Sequence, residues 1–340
     1  MQNNMETQTD NSRSLPIDAV IAWVDGGDPK LAAKRQQYLS SNAPKASSSA
    51  DPTRFASVNE IKYCVLSIMK FAPFVRNIFI VTDGQDPQIL DDVKRYFPER
   101  FSSIRIVDHT EIFEGFEEFL PTFNSITIGN MIWRIKGLAN NFIYFNDDTF
   151  LVRSVKPSDW FVGDRPVIRG HWAGRPIHRM LWNKLQIIIN SNIRGKKNYQ
   201  PRASFHMGQW NSAYLAGYKW CYFTNSHTPH TVGKQVVADF FAKNLQILRK
   251  NLAYRFRNPS QFTFIALSNH LQLIGGNSNI AKPDLAYMQP FNREKEYIDR
   301  KIRFCEQNPS IKYICVQSLD LCSTEEQNKV LGWMERIIQD

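Results

Sequence analysis

The sequence predicts an α/β protein: a mostly parallel sheet flanked by helices, with a basic insertion or lobe and a helical C-terminal part. Three observations carry this. Apolar runs at 17–24, 77–81, 104–107 and 142–145 alternate with stretches of helical periodicity. The run 142–145 is unbroken by polar residues, which suits a strand covered on both faces. Each run also ends at acids: Asp25 and Asp28, Asp83, Asp108, and finally Asp147 and Asp148.

The elements follow in order. Residues 1–15 are rich in Asn, Thr and Gln and are expected to be disordered. The first strand stops at Asp25-Gly26-Gly27-Asp28-Pro29, a strong turn signal. Residues 40–53, rich in Ser, Ala and Pro, read as a loop. In 60–71 the apolar Ile61, Cys64, Val65, Ile68 and Met69 have helical spacing, and Glu60 opens that helix, where an acid is favoured. Residues 88–96 and 126–138 also read as helices between strands. Beyond Asp164 the periodicity weakens, predicting a lobe over the sheet's carboxyl edge. Residues 234–249 and 262–274 are expected to be helices, 311–317 a short strand, and 325–338 a closing amphipathic helix.

Composition narrows the class. With 340 residues and 43% hydrophobic content, the chain can bury a substantial core. No apolar run reaches the roughly 18 residues of a transmembrane helix, and the N-terminus has no apolar signal segment. The five cysteines lack CxxC spacing and read as reduced, cytoplasmic thiols. The formal net charge is +10, and 165–238 contains no Asp or Glu at all. A surface of one sign that long predicts an anionic partner. Neither GxxxxGK[ST] nor GxGxxG occurs, which argues against a kinase or a dinucleotide dehydrogenase.

The chemistry-bearing candidates sit at strand ends and in the basic stretch. In open α/β sheets ligands lie at the carboxyl ends of the strands. Asp147 and Asp148 there read equally as a magnesium or acid/base site, or as turn punctuation. Neighbouring side chains of an extended strand diverge, so the two can share a metal only if the chain turns between them. His227 and His230, around Thr228-Pro229, suit acid/base work near neutral pH. Arg257 could clamp a phosphate with its guanidinium fork.

These segments resemble the Stealth family, which contains bacterial capsular polysaccharide phosphotransferases and the lysosomal-enzyme N-acetylglucosamine-1-phosphotransferase. The resemblance rests on IDAVIAWVDGGDP at 17–29; on Arg54, Phe55, Asn59 and Glu60; on APFVRNIFIVTDGQ at 72–85, LPTFNS at 120–125, RIKGL at 134–138 and FIYFNDD at 142–148; on HTPH at 227–230; and on Phe256-Arg257. Together these span 16–275 as a catalytic domain, leaving 276–340 a supporting role. Lys62 stands where the family often has Arg, and Ala56-Ser57-Val58 departs from its usual acids and amides.

The resemblance implies a GT-A/Rossmann-like, nucleotide-sugar-binding sheet. It implies transfer of a hexose- or N-acetylhexosamine-1-phosphate from a UDP-sugar to a sugar hydroxyl, with release of UMP. The acceptor would be an anionic oligosaccharide or polysaccharide in capsule or exopolysaccharide synthesis. The site so implied has Glu60, Asp148, His227 and Arg257 at the reactive centre. Asp25, Asp28, Arg54, Asn124, Ser125 and His230 would bind substrate, and Asp147 and Asp148 would hold magnesium, or manganese in its place. The alternative is a metal-dependent glycosyltransferase that releases UDP. A nucleic-acid-binding module argued from charge alone leaves the acid-tipped strands unexplained. Peripheral attachment to the inner face of the plasma membrane, or to capsule assembly machinery, is compatible with catalysis.

Overall fold

The computed structural model describes residues 15–42, 58–195 and 199–340. Arg54, most of the 40–53 loop and residues 1–14 lie outside these described residues. The parallel strands are β1 (Ile17–Ala22), β2 (Ile78–Thr82), β3 (Ile104–Asp108) and β4 (Asn141–Asn146). They are followed by β5 (Thr149–Leu151), the small hairpin β6 (Phe161–Val162) and β7 (Arg165–Pro166), and β8 (Ile168–Gly174). Next come β9 (Cys221–Asn225), β10 (His230–Gly233), β11 (Ile280–Ala281), β12 (Leu285–Met288) and β13 (Tyr313–Val316). The central five-stranded sheet has the order β10-β4-β1-β2-β3, and only β10 is antiparallel to its neighbour. The expected mostly parallel α/β sheet is therefore present.

Register aligns the carboxyl ends. Ala22 pairs with Asn146, and Thr82 pairs with Asp108, so the loops carrying the acids leave one edge together. At the other end the buried Asp18 ties three segments. It accepts from Arg76 Nε at 2.9 Å and Nη2 at 2.7 Å, and from the amides of Asn77 and Ala139.

Both sheet faces are covered, which is why the strands read as apolar runs. Ala19, Ile21, Ile78, Ile80, Ile143 and Phe145 face one core, with helix Glu60–Phe71 and the C-terminal helices Tyr297–Gln307 and Thr324–Gln339. Val20, Phe79, Val81 and Phe142 face the other, under helices Lys234–Lys243, Leu245–Leu252 and Phe264–Ile274.

Two predicted helices are broken. Residues 126–138 form only Ser125–Gly129 and a tight turn at Ile132–Arg134. There the Trp133 indole donates to the Asn130 carbonyl, and Gly137 takes φ 81°, both of which end helical propagation. The 234–249 helix splits at Asn244, whose φ of −131° is not helical and whose side chain donates to Phe240 O. The acid-free stretch does make a lobe from β8, β9 and helices Ile177–Ile187 and Phe205–Leu215, but its last part, β10, belongs to the central sheet. Within the lobe Gly170 is required, because a Cβ there would lie 2.2 Å from the Thr224 carbonyl oxygen.

Candidate active site

A cleft of about 720 Å³ opens at the carboxyl edge of the central sheet. Trp23 after β1, Asp83 after β2, His109 after β3 and Asn146–Asp148 after β4 all reach it. Glu60, Ser125, His227, His230 and Arg257 line it as well. Residues spread over more than two hundred positions of sequence thus share one cleft.

Asp147 and Asp148 do not continue β4. They form a turn between β4 and β5, and β5 crosses to pair with β13 in a second sheet. The chain turns at these two residues, which is the condition under which both carboxylates can serve one ion. Burial pushes Asp147 well above the ordinary Asp range, with the charges of Asp148 and Glu60 adding to it. Burial likewise raises Asp148 to about 6; bonds from Thr149 and Cys315 oppose the shift, and Glu60 adds to it. Burial and the charge of Glu60 thus disfavour ionising both aspartates.

Glu60 is placed by its own helix start. Asn59 adopts φ 70°, and Glu60 Oε2 accepts the Val58 amide at 2.7 Å. The helix that follows is apolar on its buried side, so it holds Glu60 against the sheet.

Arg257 lines the same cleft, and its Nη2 donates to Ser125 Oγ at 2.5 Å. Asn124 makes that meeting possible without touching the cleft. Fully buried, it caps the helix at Ser125 through the Ile126 amide, and its Nδ2 donates to Tyr254 O and Gln261 Oε1. Its predicted substrate-binding role is replaced by a positioning one. Asp25 and Asp28 are corrected similarly. Asp25 accepts the Gly27 amide, and Gln85 bridges Asp25 O and Asp28 Oδ2, so these acids knit the β1 loop and stand outside the cleft lining.

His227 stacks on Phe205 with ring centroids 5.1 Å apart. Its Nδ1 lies 3.5 Å from Gln317 Nε2, while Gln317 Oε1 accepts from Tyr287 at 2.5 Å. That chain turns the Gln317 amide nitrogen toward His227 Nδ1. Burial lowers the pKa of His227, and burial takes His230 to about 3, helped by His227 and Arg169. Both rings are neutral at pH 7.

The structure adds residues the sequence reading did not single out. Trp23 Nε1 and His109 Nε2 are buried without a hydrogen-bond partner among the described residues, and both residues line the cleft. Burial holds His109 at about 4 despite Asp83 beside it. Gln317, Ser318 and Asp320 bring the C-terminal segment into the wall, beyond a supporting role. Among the described residues of the acid-free stretch 165–238, Arg202 is the one Lys or Arg in the lining. A signal existed for Trp23 and His109, each being the first residue past its strand. Gln317 carries the same signal, as the first residue past β13.

Among the described residues no three His, Cys, Asp or Glu side chains form a ready metal cage. A magnesium ion needs less: one or two carboxylates, with waters and substrate phosphates completing its shell. Asp147 and Asp148, on one turn and in mutual repulsion, fit that donor set.

Comparison with known proteins agrees with the motifs. The family model described as Stealth protein CR1, conserved region 1, matches residues 15–43, and Stealth protein CR2, conserved region 2, matches 54–167. His227 and Arg257 lie beyond both matches. The receptor polysaccharide phosphotransferase WefC of Streptococcus oralis is 29% identical over 79% of this chain and 81% of its own length. The capsular polysaccharide phosphotransferase cps1A of Actinobacillus pleuropneumoniae is 40% identical over 45% of this chain, and the match spans only 40% of that protein. Among solved structures, the galactosyltransferase LgtC with donor and acceptor sugar analogues gives a TM-score of 0.42 at 10% identity, covering 95% of this chain and 94% of that one. A likeness that low carries no weight for the activity.

Proposed function

The chain belongs to the Stealth family of polysaccharide phosphotransferases, and on that premise we propose that it transfers a sugar 1-phosphate from a UDP-sugar to a hydroxyl of a capsular or exopolysaccharide acceptor. One observation carries the reading: Glu60, Asp147 and Asp148 crowd one side of a cleft whose other residues include Arg257 and two neutral histidines.

The acceptor oxygen attacks the β-phosphorus of the donor. A new phosphorus–oxygen bond forms, the bond to the bridging oxygen breaks, and UMP leaves with that electron pair. The acceptor proton goes to a carboxylate. Asp148 is the candidate base, because a carboxyl raised to about 6 is ionised at pH 7 yet still basic. His227, neutral at pH 7, stands in the same cleft; the acid takes the base role that the sequence left open between the two. Arg257, held by Ser125, supplies the fixed positive charge such a transfer needs. Magnesium held by Asp147, with waters and the donor's phosphates, would neutralise the diphosphate and ease the carboxylate repulsion, leaving Asp148 as the base. Trp23 and His109 line the same edge, where their rings would pack against the donor.

Incubation with a panel of UDP-sugars and oligosaccharide primers, followed by phosphorus NMR, tests this. UMP and a phosphodiester are expected. UDP with no phosphodiester would assign glycosyl transfer instead.

A further inference from the structure

The basic lobe holds a feature the cleft does not explain. Of its cations, Arg165 donates to Gly276 O, Arg169 is buried against Asp284, Arg175 lies over the Trp210 ring and Lys234 donates to Leu138 O. These are used within the fold. The helix Ile177–Ile187 is different, since none of its residues is buried. Ile177 is 55% exposed, Leu181 61%, Trp182 59% and Leu185 44%.

At 100° per residue these four fall within an arc of roughly 140°. Lys184 borders one side of that arc, the exposed His178 lies within it, and Arg179 stands about 60° past its other edge, beyond Gln186. The partly buried residues are Met180, Asn183 and Gln186, so two amides and a thioether lean on the lobe. Gln186 is anchored there through its carbonyl to Asn190 and its side chain to Tyr199. A helix in water turns its apolar face inward; this one turns it outward. Trp220, 80% exposed, adds to the patch at the helix start, because its carbonyl accepts the Arg175 amide.

We propose that this face lies on an anionic lipid bilayer, with Ile177, Leu181, Trp182 and Leu185 set into the headgroup boundary and Arg179 and Lys184 on the phosphates. An interfacial helix has this composition: an apolar face with Trp and Leu, edged by Lys and Arg. The charge pattern selects lipid over a second copy of the chain. Residues 165–238 carry no acid, so a symmetric dimer through this face would set Arg179 and Lys184 against their own copies. Among the described residues no helix can cross a membrane, so the contact is peripheral.

Co-sedimentation of the full chain with phosphatidylcholine vesicles, with and without phosphatidylglycerol, tests the proposal independently of turnover. Binding to the anionic vesicles is expected, weakened by salt, with a blue shift of tryptophan emission. The Leu181→Asp/Trp182→Asp variant, whose side chains are exposed, should keep the wild-type melting temperature and lose binding by roughly tenfold or more. Three results overturn the proposal: no binding to anionic vesicles, unchanged binding by the double variant, or a dimer in buffer that the double variant splits.

Discussion

Asp148→Asn should make the protein more stable at neutral pH while stopping turnover. Asp148 is raised from 3.8 to about 6, chiefly by burial, with Glu60 adding to it. Each tenfold in acidity is worth about 1.4 kcal/mol, so ionising this carboxyl in the fold costs roughly 3 kcal/mol. Asparagine removes the charge but weakens the bonds from Thr149 and Cys315, at a cost of about 1 kcal/mol. The net gain of about 2 kcal/mol corresponds to a rise of roughly 3 °C in Tm for a chain of 340 residues. The pH dependence has a definite sign. With its pKa raised by folding, the native state holds a proton the unfolded chain has released, between about pH 4 and 6. Wild-type stability therefore falls relative to the variant as pH rises through that window, and the difference is constant above it. Thermal melts of both proteins at pH 7.5 and 4.5 read this directly. A variant no more stable than wild type at pH 7.5, or a gap that fails to shrink at pH 4.5, would refute the crowded-carboxylate account.

Millimolar magnesium should raise the Tm of wild type more than that of Asp148→Asn, since part of the ion's benefit is relief of the same repulsion; isothermal calorimetry provides a second readout. Arg257→Ala should lower kcat by about 100-fold or more with Tm unchanged, as expected for a cation used on the transferring phosphoryl group, and single-turnover UMP release measures it. The turnover rate should rise with pH through about 6 and then level, and Asp148→Asn should abolish that profile. Arg76→Ala should cost about 3 kcal/mol in urea unfolding, because it leaves the buried Asp18 carboxylate with only the Asn77 and Ala139 amides.

The sequence by itself determined the sheet and most of the acids at its edge. Unbroken apolar strands, helical spacing in 60–71 and turn residues after each strand are local signals, and the structure keeps them. The family motifs likewise marked Glu60, Asp147, Asp148, His227 and Arg257, and all five line one cleft. Side-chain direction was decided by tertiary structure. Asp25 and Asp28 carry the same signal as Asp147 and Asp148, yet Gln85, some sixty residues away, claims them for a loop. Asn124 looked like a ligand and proved a buried cap, because its partners at 254 and 261 are invisible to local pattern. The turn that joins the two carboxylates exists because β5 leaves the central sheet to pair with β13, a contact made across the whole second half of the chain. Hydrophobic period and turn chemistry act over a few residues, so they can be read along the chain. Which polar group faces a ligand depends on partners that only folding brings near.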